Sequence, residues 1–526
     1  MASRRRKHWG WGYADEQPSP SEVRAMAGGI RDVLGLGDGV VEDPVELAAV
    51  RLPEPRVAPP PFASADPYER AFHAHGASYS DVVRAFRGDL AHAPDVVARP
   101  RSEEDVERVL EWAAGEGVAV VPFGGGTSVV GGVTPPADRA TLSLDLTALD
   151  RVLEVDDVSR AARVQAGVLG PALEAQLGEH GMTLRHFPQS FELSTLGGWI
   201  ATRAGGHFAT VETHIDDLVE SVRAVTPGAG VWASRRLPGS GAGPSPDRLL
   251  LGSEGTLGVI TEAWVRIRPR PTSRRSAAIL FPDFLRGAEA VRALAQSGLR
   301  PSNCRLIDPL ESRFTGAGDG TSAVLVLGFE SAGFDVAPLF DQALVIAREC
   351  GGVVEEPDDD PLAPAADGGS GDGAVGAWRS AFLRAPYLRD TFVAMGVLSE
   401  TFETAVTWDR FPAFHASVLA ATREAAGEGA LVSCRFTHVY PDGPAPYYTV
   451  LANARRGEEV EQWARIKAAA ADAIIAGGGT ITHHHAVGRD HRPWYDRQRP
   501  DPFAAALRAA KSAVDPAAIL NPGVLL

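Results

Sequence analysis

Gly-rich runs in the middle of the chain have the composition of a phosphate-binding cradle. The first run, PFGGGTSVVGG at residues 122–132, follows a predicted buried strand. Consecutive glycines permit positive φ angles and let backbone N–H groups converge on a pyrophosphate, and Thr127 and Ser128 add hydroxyl donors. The run lacks the Lys of a Walker loop and the GxGxxG spacing of a Rossmann fingerprint. Taken alone, such a run is more often a structural turn than a binding loop.

Two further runs of the same character favour the binding interpretation. One is PQSFELSTLGGWIATRAGG at residues 188–206, and the other is GSEGTLGVI at residues 252–260. Three such runs within one domain are hard to explain as turns. The sequence therefore predicts a cradle for a phosphate-bearing ligand.

Three consecutive histidines, His483, His484 and His485, offer a second kind of chemistry. They follow a predicted strand at residues 480–482, and strand alternation would place His483 and His485 on one face and His484 on the other. A His-x-His pair on a strand can supply two metal ligands, with His438 or His491 as a third. An imidazole, whose unperturbed pKa is about 6.5, is also suited to proton transfer. These residues alone leave both chemistries open.

The elements that must position these groups form an α+β pattern of more than one domain, since 526 residues exceed what one core usually spans. Residues 1–92 are predicted to be an arm with a Pro-rich linker and short helical stretches. Strands and helices alternate over 93–271, and a second α+β pattern occupies 272–482. Residues 483–526 form a C-terminal segment with a final helix. The acidic, Gly-rich stretch at 355–376 is predicted to be a mobile loop.

Composition and charge exclude several classes of function. The net charge of −16, from 67 acidic and 51 basic residues, disfavours nucleic acid as a partner. It permits an anionic ligand, because a local Arg cluster can act inside an acidic protein. Three isolated cysteines indicate no disulfide framework. With neither a signal peptide nor an apolar run of about 18 residues, we expect a bacterial cytoplasmic protein.

The combined Gly-rich runs resemble those of the FAD-binding oxidoreductases of the vanillyl-alcohol oxidase and p-cresol methylhydroxylase type. The resemblance covers the chain from about residue 94 and implies an α+β fold: an FAD-binding domain at 93–271, an α+β cap domain for the substrate at 272–482, and C-terminal helices. It implies FAD as cofactor, held non-covalently because the first loop contains no His or Cys. The cofactor-binding residues that it implies are Pro122, Phe123, Gly124, Gly125, Gly126, Thr127, Ser128, Gln189, Ser190, Ser194, Thr195, Gly198, Thr202, Arg203, Ala204, Gly205, Glu254, Gly255, Gly258, Val259 and Ile260.

Motifs in the second half of the chain separate two branches of that family. D-2-hydroxyacid dehydrogenases carry HxGDGNxH and Glu-His-Gly motifs that hold a divalent metal. This chain has HVYPDGPAPYY at 438–448 and His-His-His-Ala instead, so no metal is expected. The resemblance is to alkyldihydroxyacetonephosphate synthases, carried by RKHWGWGY (6–13), LSTLGGWIATRA (193–204), YLRD (387–390), SETFETAVTWDR (399–410) and THHHAVG (482–488).

That resemblance implies an exchange reaction of ether-lipid synthesis without net oxidation. An acyl-dihydroxyacetone phosphate adds through C1 to flavin N5, the fatty acid leaves, and a fatty alcohol replaces it. Tyr447 is implied as the acid–base residue, assisted by the three histidines, and Arg389 and Arg305 as the groups that bind the substrate phosphate. A homodimer with peripheral membrane contact is expected.

Two other functions stay open from the sequence. One is an FAD-dependent dehydrogenase or oxidase of a 2-hydroxy acid. The other is a flavin-binding protein without catalytic activity, against which the retained Tyr447, Arg389 and histidines argue.

Overall fold

The computed structural model describes residues 4–355 and 374–526. The predicted loop at 355–376 lies almost entirely outside the described residues. Helices and strands are named here in chain order. The helices are α1 (Pro20–Leu34), α2 (Pro67–Phe72), α3 (Tyr79–Phe86), α4 (Glu103–Glu116), α5 (Gly170–Gly178), α6 (Leu196–Thr202), α7 (Asp247–Leu250), α8 (Phe284–Gln296), α9 (Pro309–Thr315), α10 (Ala337–Glu349), α11 (Ala374–Ala394), α12 (Phe411–Ala426), α13 (Glu459–Ala476), α14 (Arg492–Gln498) and α15 (Asp501–Val514).

The strands group into separate sheets. The strands are β1 (Ala63–Ser64), β2 (Val96–Ala98), β3 (Ala119–Phe123), β4 (Thr141–Asp145), β5 (Val152–Asp156), β6 (Ala161–Gln165), β7 (Met182–Thr183), β8 (Val219–Thr226), β9 (Gly230–Ala233), β10 (Val259–Arg266), β11 (Arg268–Pro269), β12 (Ser273–Phe281), β13 (Asn303–Ile307), β14 (Ala323–Ser331), β15 (Val353–Val354), β16 (Val397–Glu403), β17 (Leu431–Val439) and β18 (Pro444–Asn453).

The first Gly-rich run lies at the end of a small sheet in the predicted cofactor domain. That sheet has the order β1-β2-β4-β3, and β3 and β2 each pair in parallel with β4. A five-stranded antiparallel sheet, β5-β6-β10-β8-β9, lies beside it in the same part of the chain. The end of β3 therefore delivers residues 124–128 to the edge where the second Gly-rich run begins α6.

A seven-stranded antiparallel sheet forms the other half of the fold. Its order is β15-β12-β14-β13-β17-β18-β16, so strands from distant parts of the sequence lie next to one another. Helix α13 contributes Trp463, Ile466, Ala470 and Ile474 to the hydrophobic core that covers one face. The opposite face of β13, β17, β18 and β16 is left to line a cavity.

The C-terminal segment returns to the cofactor domain. Val120 of β3 donates its N–H to the Ile519 carbonyl at 2.8 Å and accepts from the Asn521 N–H at 2.8 Å. The predicted final helix is confirmed as α15, and Leu507 packs in the core of the five-stranded sheet. The C-terminal segment thus packs beside the strand that leads into the first Gly-rich run.

Helix ends follow the expected local chemistry. Helix α4 begins after Ser102, whose side chain accepts from the Asp105 N–H, and Gly117 ends the helix in a left-handed conformation. The 15-residue helix α1 was not predicted in the N-terminal arm. It begins with a capping box between Ser19 and Glu22, a signal that the sequence does contain.

Candidate functional site

A cavity of about 670 Å³ lies between the Gly-rich runs and the seven-stranded sheet. The cradle side is formed by residues of the first two runs, the sheet side by β13, β17, β18 and β16, and one end by α1, α9 and α11. The predicted cofactor residues that line it are Gly124, Gly125, Gly126, Thr127, Ser128, Gln189, Ser190, Ser194, Thr195, Gly198, Thr202, Ala204 and Gly205.

Close packing explains the glycines of the first run. A Cβ on Gly124 would lie 2.3 Å from the Thr195 hydroxyl, and a Cβ on Gly125 would lie 1.6 Å from the Leu193 carbonyl oxygen. Gly126 has a φ of +70°. The loop therefore lies directly on the second run, and both present backbone and hydroxyl groups to the cavity. A cradle of this kind, without a lining carboxylate of its own, fits the pyrophosphate and ribityl groups of FAD.

Eight residues of the predicted cofactor set lie outside the lining of this cavity, and their role remains a prediction. Arg203 forms an ion pair with Asp216, and a Cβ on Gly255 would lie 2.9 Å from Pro122. Glu254 is buried and accepts the N–H groups of Val487 and Gly488 at 2.9 and 2.8 Å. The eight are Pro122, Phe123, Arg203, Glu254, Gly255, Gly258, Val259 and Ile260.

Burial raises the pKa of Glu254 to about 7, although the two N–H donors lower it. The third Gly-rich run thus fastens the C-terminal segment against the cradle. That contact connects the cofactor domain directly to the histidine loop, which precedes Val487 in the chain.

A row of three ionisable side chains crosses the opposite wall. Tyr447 on β18 is the register partner of Arg435 on β17 and of Glu403 on β16, so the three project from one face of the sheet. The Arg435 guanidinium carbon lies 3.9 Å from the centre of the Tyr447 ring, a cation–π contact. Arg435 also donates to buried Glu311 at 2.5 Å. Tyr447 thus has Arg435 and Glu403 as its two cross-strand neighbours, and the Arg435 cation contacts its ring.

The two arginines implied as phosphate-binding residues both line this cavity. Arg305 is 4% exposed, donates to the His207 carbonyl at 3.1 Å, and lies 4.9 Å from the Trp378 ring. Burial and the positive charge of Arg435 together lower the pKa of Arg305 to about 9. Arg389 donates to the Ala77 carbonyl at 2.6 Å.

Three arginines, Arg305, Arg389 and Arg435, line the cavity, and each has a buried Nε without a hydrogen-bond partner among the described residues. Among the described lining residues the one carboxylate is Glu311, which is paired with Arg435. Three cations thus face one anion within an acidic protein. The cavity is therefore suited to an anionic ligand.

The histidine run is a loop, and the predicted strand at 480–482 was wrong. Buried Glu403 accepts the backbone N–H groups of His483, His484 and His485 at 2.5, 3.2 and 2.9 Å, and the Thr482 hydroxyl at 2.6 Å. Successive N–H groups can converge on one carboxylate only when the backbone curves around it, which strand geometry forbids. The carboxylate thus sets the path of the loop.

The loop also overturns the predicted alternation of the histidines. His484 and His485 both line the cavity, whereas strand alternation would have separated them. The Nε2 of His483 lies 2.7 Å from the Tyr440 hydroxyl, and its Nδ1 lies 3.1 Å from the Nδ1 of His484. Of the three histidines, His484 and His485 thus face the cavity, next to Tyr447.

Burial keeps these imidazoles neutral near pH 7. It lowers the pKa of His484 to about 3 and of His485 to about 4, although Glu403 raises both. Glu403 lies 3.6 Å from each ring and would be the counter-charge of a protonated imidazole. The cavity wall therefore presents two neutral imidazoles beside a buried carboxylate.

His438 joins the same cluster. One side-chain nitrogen each of His438, His483 and His484 lies within 4.8 Å of the other two. Both nitrogens of His438 already have partners, at 3.1 Å from the Gly206 carbonyl oxygen and 3.1 Å from the Thr437 hydroxyl. We interpret the cluster as a hydrogen-bonded network, and the expected absence of a metal remains a prediction.

Sequence analysis missed Arg435, Glu311 and Glu403 as site residues. Arg435 and Glu311 have no local signal, because each is an isolated charge whose partner is more than a hundred positions away. Glu403 lies within SETFETAVTWDR, but only the pairing of β16 with β18 shows that it faces Tyr447.

Comparisons with known proteins agree with this geometry. Residues 94–233 match the family model described as an FAD binding domain, and residues 270–525 match that of the FAD linked oxidases, C-terminal domain. An alkyldihydroxyacetonephosphate synthase of Caenorhabditis elegans is 35% identical over 86% of this chain and 79% of its own length.

Solved structures give the same relationship. A structure of alkyldihydroxyacetonephosphate synthase superposes with a TM-score of 0.81 at 25% identity, over 98% of this chain and 97% of the other. A substrate-bound p-cresol methylhydroxylase superposes with a TM-score of 0.69 at 16% identity, over 96% of this chain and 97% of the other. The predicted fold class and the FAD cofactor are thereby confirmed.

The contact of Gly125 with the Leu193 carbonyl predicts a defect in cofactor binding. Gly125→Ala must displace the loop, and overpacking of this kind costs about 1–3 kcal/mol, which corresponds to about a 10–100-fold loss of FAD affinity. The loss of FAD affinity is measured as the decrease in flavin absorbance per protein molecule when the protein is diluted. Gly115→Ala on α4, where an added Cβ meets nothing within 4 Å, is the matched control. Equal FAD affinity in both variants would contradict the packing argument.

Proposed function

The chain belongs to the alkyldihydroxyacetonephosphate synthase family, and from this premise we propose that it exchanges the acyl group of an acyl-dihydroxyacetone phosphate for a fatty alcohol. The ester bond from C1 to the acyl oxygen breaks, and the fatty acid leaves. An ether bond forms between C1 and the alcohol oxygen, and the alcohol proton is lost. The reaction involves no net oxidation. One observation carries the proposal, namely a single cavity that is cationic at its sheet wall, apolar at its end and bordered by the FAD cradle.

The cationic wall supports a phosphate monoester as the head group. We propose that Arg305 and Arg389 bind it, since Arg305 is buried with an unpartnered Nε beside a second cation. A dianionic phosphate would offset that repulsion and accept several charge-assisted hydrogen bonds. The head group would then place C1 of the substrate near Tyr447.

The far end of the cavity supports a lipid chain. Lining side chains from three helices, Ile30 and Leu34 of α1, Phe314 of α9, and Leu388 and Phe392 of α11, are all apolar. Burial of a hydrocarbon chain against such a surface is favourable by about 0.8 kcal/mol for each CH₂ group. Both the acyl group that leaves and the alcohol that enters can use this end.

Tyr447 is proposed to move the proton during exchange. Its phenol lies between Arg435 and the loop of neutral histidines, with the ring centre 5.5 Å from that of His485. His484 and His485 would take up or return the proton, and Glu403 would hold both histidines in place. When bound, FAD supplies an electron sink beside C1. Gly124–Ser128 and the hydroxyls of Ser190, Ser194 and Thr195 would hold it.

The proposal also covers cofactor attachment, cellular location, oligomeric state and membrane contact. We propose that FAD is held non-covalently, that the enzyme is a bacterial cytoplasmic homodimer, and that it touches a membrane peripherally to obtain its lipid substrate. Among residues 4–355 and 374–526, no helix is long and apolar enough to cross a membrane.

An anaerobic exchange assay tests the function. The purified flavoprotein is mixed with palmitoyl-dihydroxyacetone phosphate and then hexadecanol, and the flavin absorbance and both products are followed. We expect bleaching that reverses when the alcohol is added, with one fatty acid released for each ether lipid formed. Bleaching that occurs only with a D-2-hydroxy acid, and lasts until an electron acceptor is added, would instead establish a dehydrogenase.

A further inference from the structure

The N-terminal segment RKHWGWGY, residues 6–13 and called the strap below, folds back on itself beside the cavity. Arg6 and Tyr13 form a β-bridge, and the Lys7 N–H donates to the Gly12 carbonyl at 3.2 Å. The Tyr68 hydroxyl donates to the Arg6 carbonyl at 2.9 Å. The strap is therefore an ordered part of the fold rather than a free arm, and it lies against α11.

A buried ion pair attaches the strap to the residue that follows Arg389. Lys7 Nζ lies 2.9 Å from a carboxylate oxygen of Asp390, with side-chain exposures of 5% and 9%. The Trp11 N–H also donates to that carboxylate, at 3.0 and 3.1 Å from its two oxygens. Removal of one partner of such a pair leaves the other charge buried and unpaired, which is strongly unfavourable. The strap and this turn of α11 are thus held together.

The glycines of the WGWG motif permit this close approach. An added Cβ on Gly10 would lie 2.5 Å from an Asp390 carboxylate oxygen, and one on Gly12 would lie 2.9 Å from the Tyr387 ring. Both glycines have positive φ angles, +66° and +96°. The strap can therefore wrap the Asp390 carboxylate only with glycine at these two positions.

The strap also supports Arg389 from its other side. Trp11 lines the cavity and packs with Ala77 and Leu193 in one small apolar cluster. The Ala77 carbonyl is the acceptor of the Arg389 guanidinium at 2.6 Å. The backbone of Arg389 is thus fixed through Asp390 and its head group through Ala77, and residues of the strap contact both supports.

We propose that the strap is part of the substrate site and that Lys7 and Trp11 are positioning residues, which aim the Arg389 guanidinium at the phosphate of the substrate. The inference rests on the proposed function for the identity of that phosphate. The strap supplies none of the cradle residues, which lie at 124–128 and 189–205, so we assign it no direct contact with FAD.

Phosphate affinity in strap variants tests the inference. Dihydroxyacetone phosphate, which lacks an acyl group to exchange, is titrated against the FAD-loaded protein while Trp fluorescence and the flavin spectrum are followed. In Lys7→Met we expect affinity to fall about tenfold or more, since a charge-assisted contact of Arg389 is lost. FAD content should stay at the wild-type level. With acyl substrate, KM should rise more than kcat falls.

A second variant and a control keep the outcomes separate. Gly10→Ala, which displaces the Asp390 carboxylate without removing a charge, should show the same loss of affinity. Arg4→Met is the matched control, because Arg4 lies two residues before the strap and pairs with exposed Asp15 and Glu16 instead of a buried carboxylate. Wild-type phosphate affinity in folded Lys7→Met and Gly10→Ala would overturn the inference. So would a loss of FAD that matches the loss of phosphate affinity.

Failure of the proposed function has a different signature. A wild-type protein that binds dihydroxyacetone phosphate but never exchanges acyl for alkyl would refute the synthase reaction. The fall in affinity in Lys7→Met would then still support the role of the strap, since this titration involves no turnover.

Discussion

Tyr447→Phe is expected to lower the rate of exchange by about 10²–10⁴-fold, the usual contribution of a general acid–base residue. The ring would keep its contact with the Arg435 guanidinium at 3.9 Å, so the wall of the cavity should stay in place. Only the hydroxyl that moves the proton is removed. Turnover is measured from fatty acid released, and FAD content from absorbance.

The next residue in the chain provides the control. Tyr448 points to the opposite face of β18, is fully buried, and its hydroxyl lies 3.1 Å from His415 Nδ1. Tyr448→Phe should therefore lower the free energy of unfolding by about 1 kcal/mol and leave turnover unchanged. If Tyr447→Phe retains most of its activity with FAD bound, another group moves the proton and the proposed role of Tyr447 is wrong.

The cradle could be predicted from the sequence because its determinants are local. Gly124, Gly125 and Gly126 are adjacent, and the second run carries its hydroxyls within a few residues. Adjacent glycines indicate a loop by themselves, whichever residues pack against that loop. The α+β pattern of residues 93–271 was predicted for the same reason, since periodicity and capping act over a few residues.

The opposite wall could not be predicted in the same way. Arg435, Tyr447 and Glu403 become neighbours only through the pairing of β17, β18 and β16, whose order differs from their order in the sequence. The family resemblance identified Tyr447 but not the charges on either side of it. The register between strands that are far apart in the sequence depends on the whole sheet, so a local sequence pattern does not predict it.

The histidine run shows how a local pattern can mislead. Thr480, Ile481 and Thr482 have the composition of a strand, and strand alternation then gave the wrong faces for the histidines. What decides the conformation is one buried carboxylate about 80 positions earlier in the chain. Local propensity is weak compared with four donors that would otherwise be buried without an acceptor.

Glu403→Gln is accordingly expected to damage both stability and catalysis. The amide oxygen can retain the N–H groups of His483 and His484, and the amide NH₂ then faces the Thr482 hydroxyl and the His485 N–H. The Thr482 oxygen can still accept from His485, at 3.1 Å, but both groups lose the carboxylate. Loss of this charged acceptor should lower the free energy of unfolding by about 1–3 kcal/mol. Displacement of His484 and His485 by about 1 Å should lower kcat by about 10²-fold.

A pH profile separates a role in positioning from a general loss of stability. Burial lowers the pKa of His484 and His485, and the Glu403 carboxylate partly opposes this shift. Without the carboxylate both pKa values should fall further, because an imidazolium would lose its counter-charge. If turnover requires neutral histidines, the acidic limb of the pH–rate profile should therefore move to lower pH in Glu403→Gln.

Glu400→Gln is the matched control, because this residue is equally buried on the same strand but faces the other side. Its carboxylate accepts from Trp463 Nε1 at 2.5 Å and from Lys467 Nζ at 3.3 Å, away from the histidine loop. It should lose stability without a change in kcat or in the acidic limb at temperatures where it is folded. A Glu403→Gln protein that is destabilised yet keeps wild-type kcat and pH profile would show that the histidine loop does not need this carboxylate for catalysis.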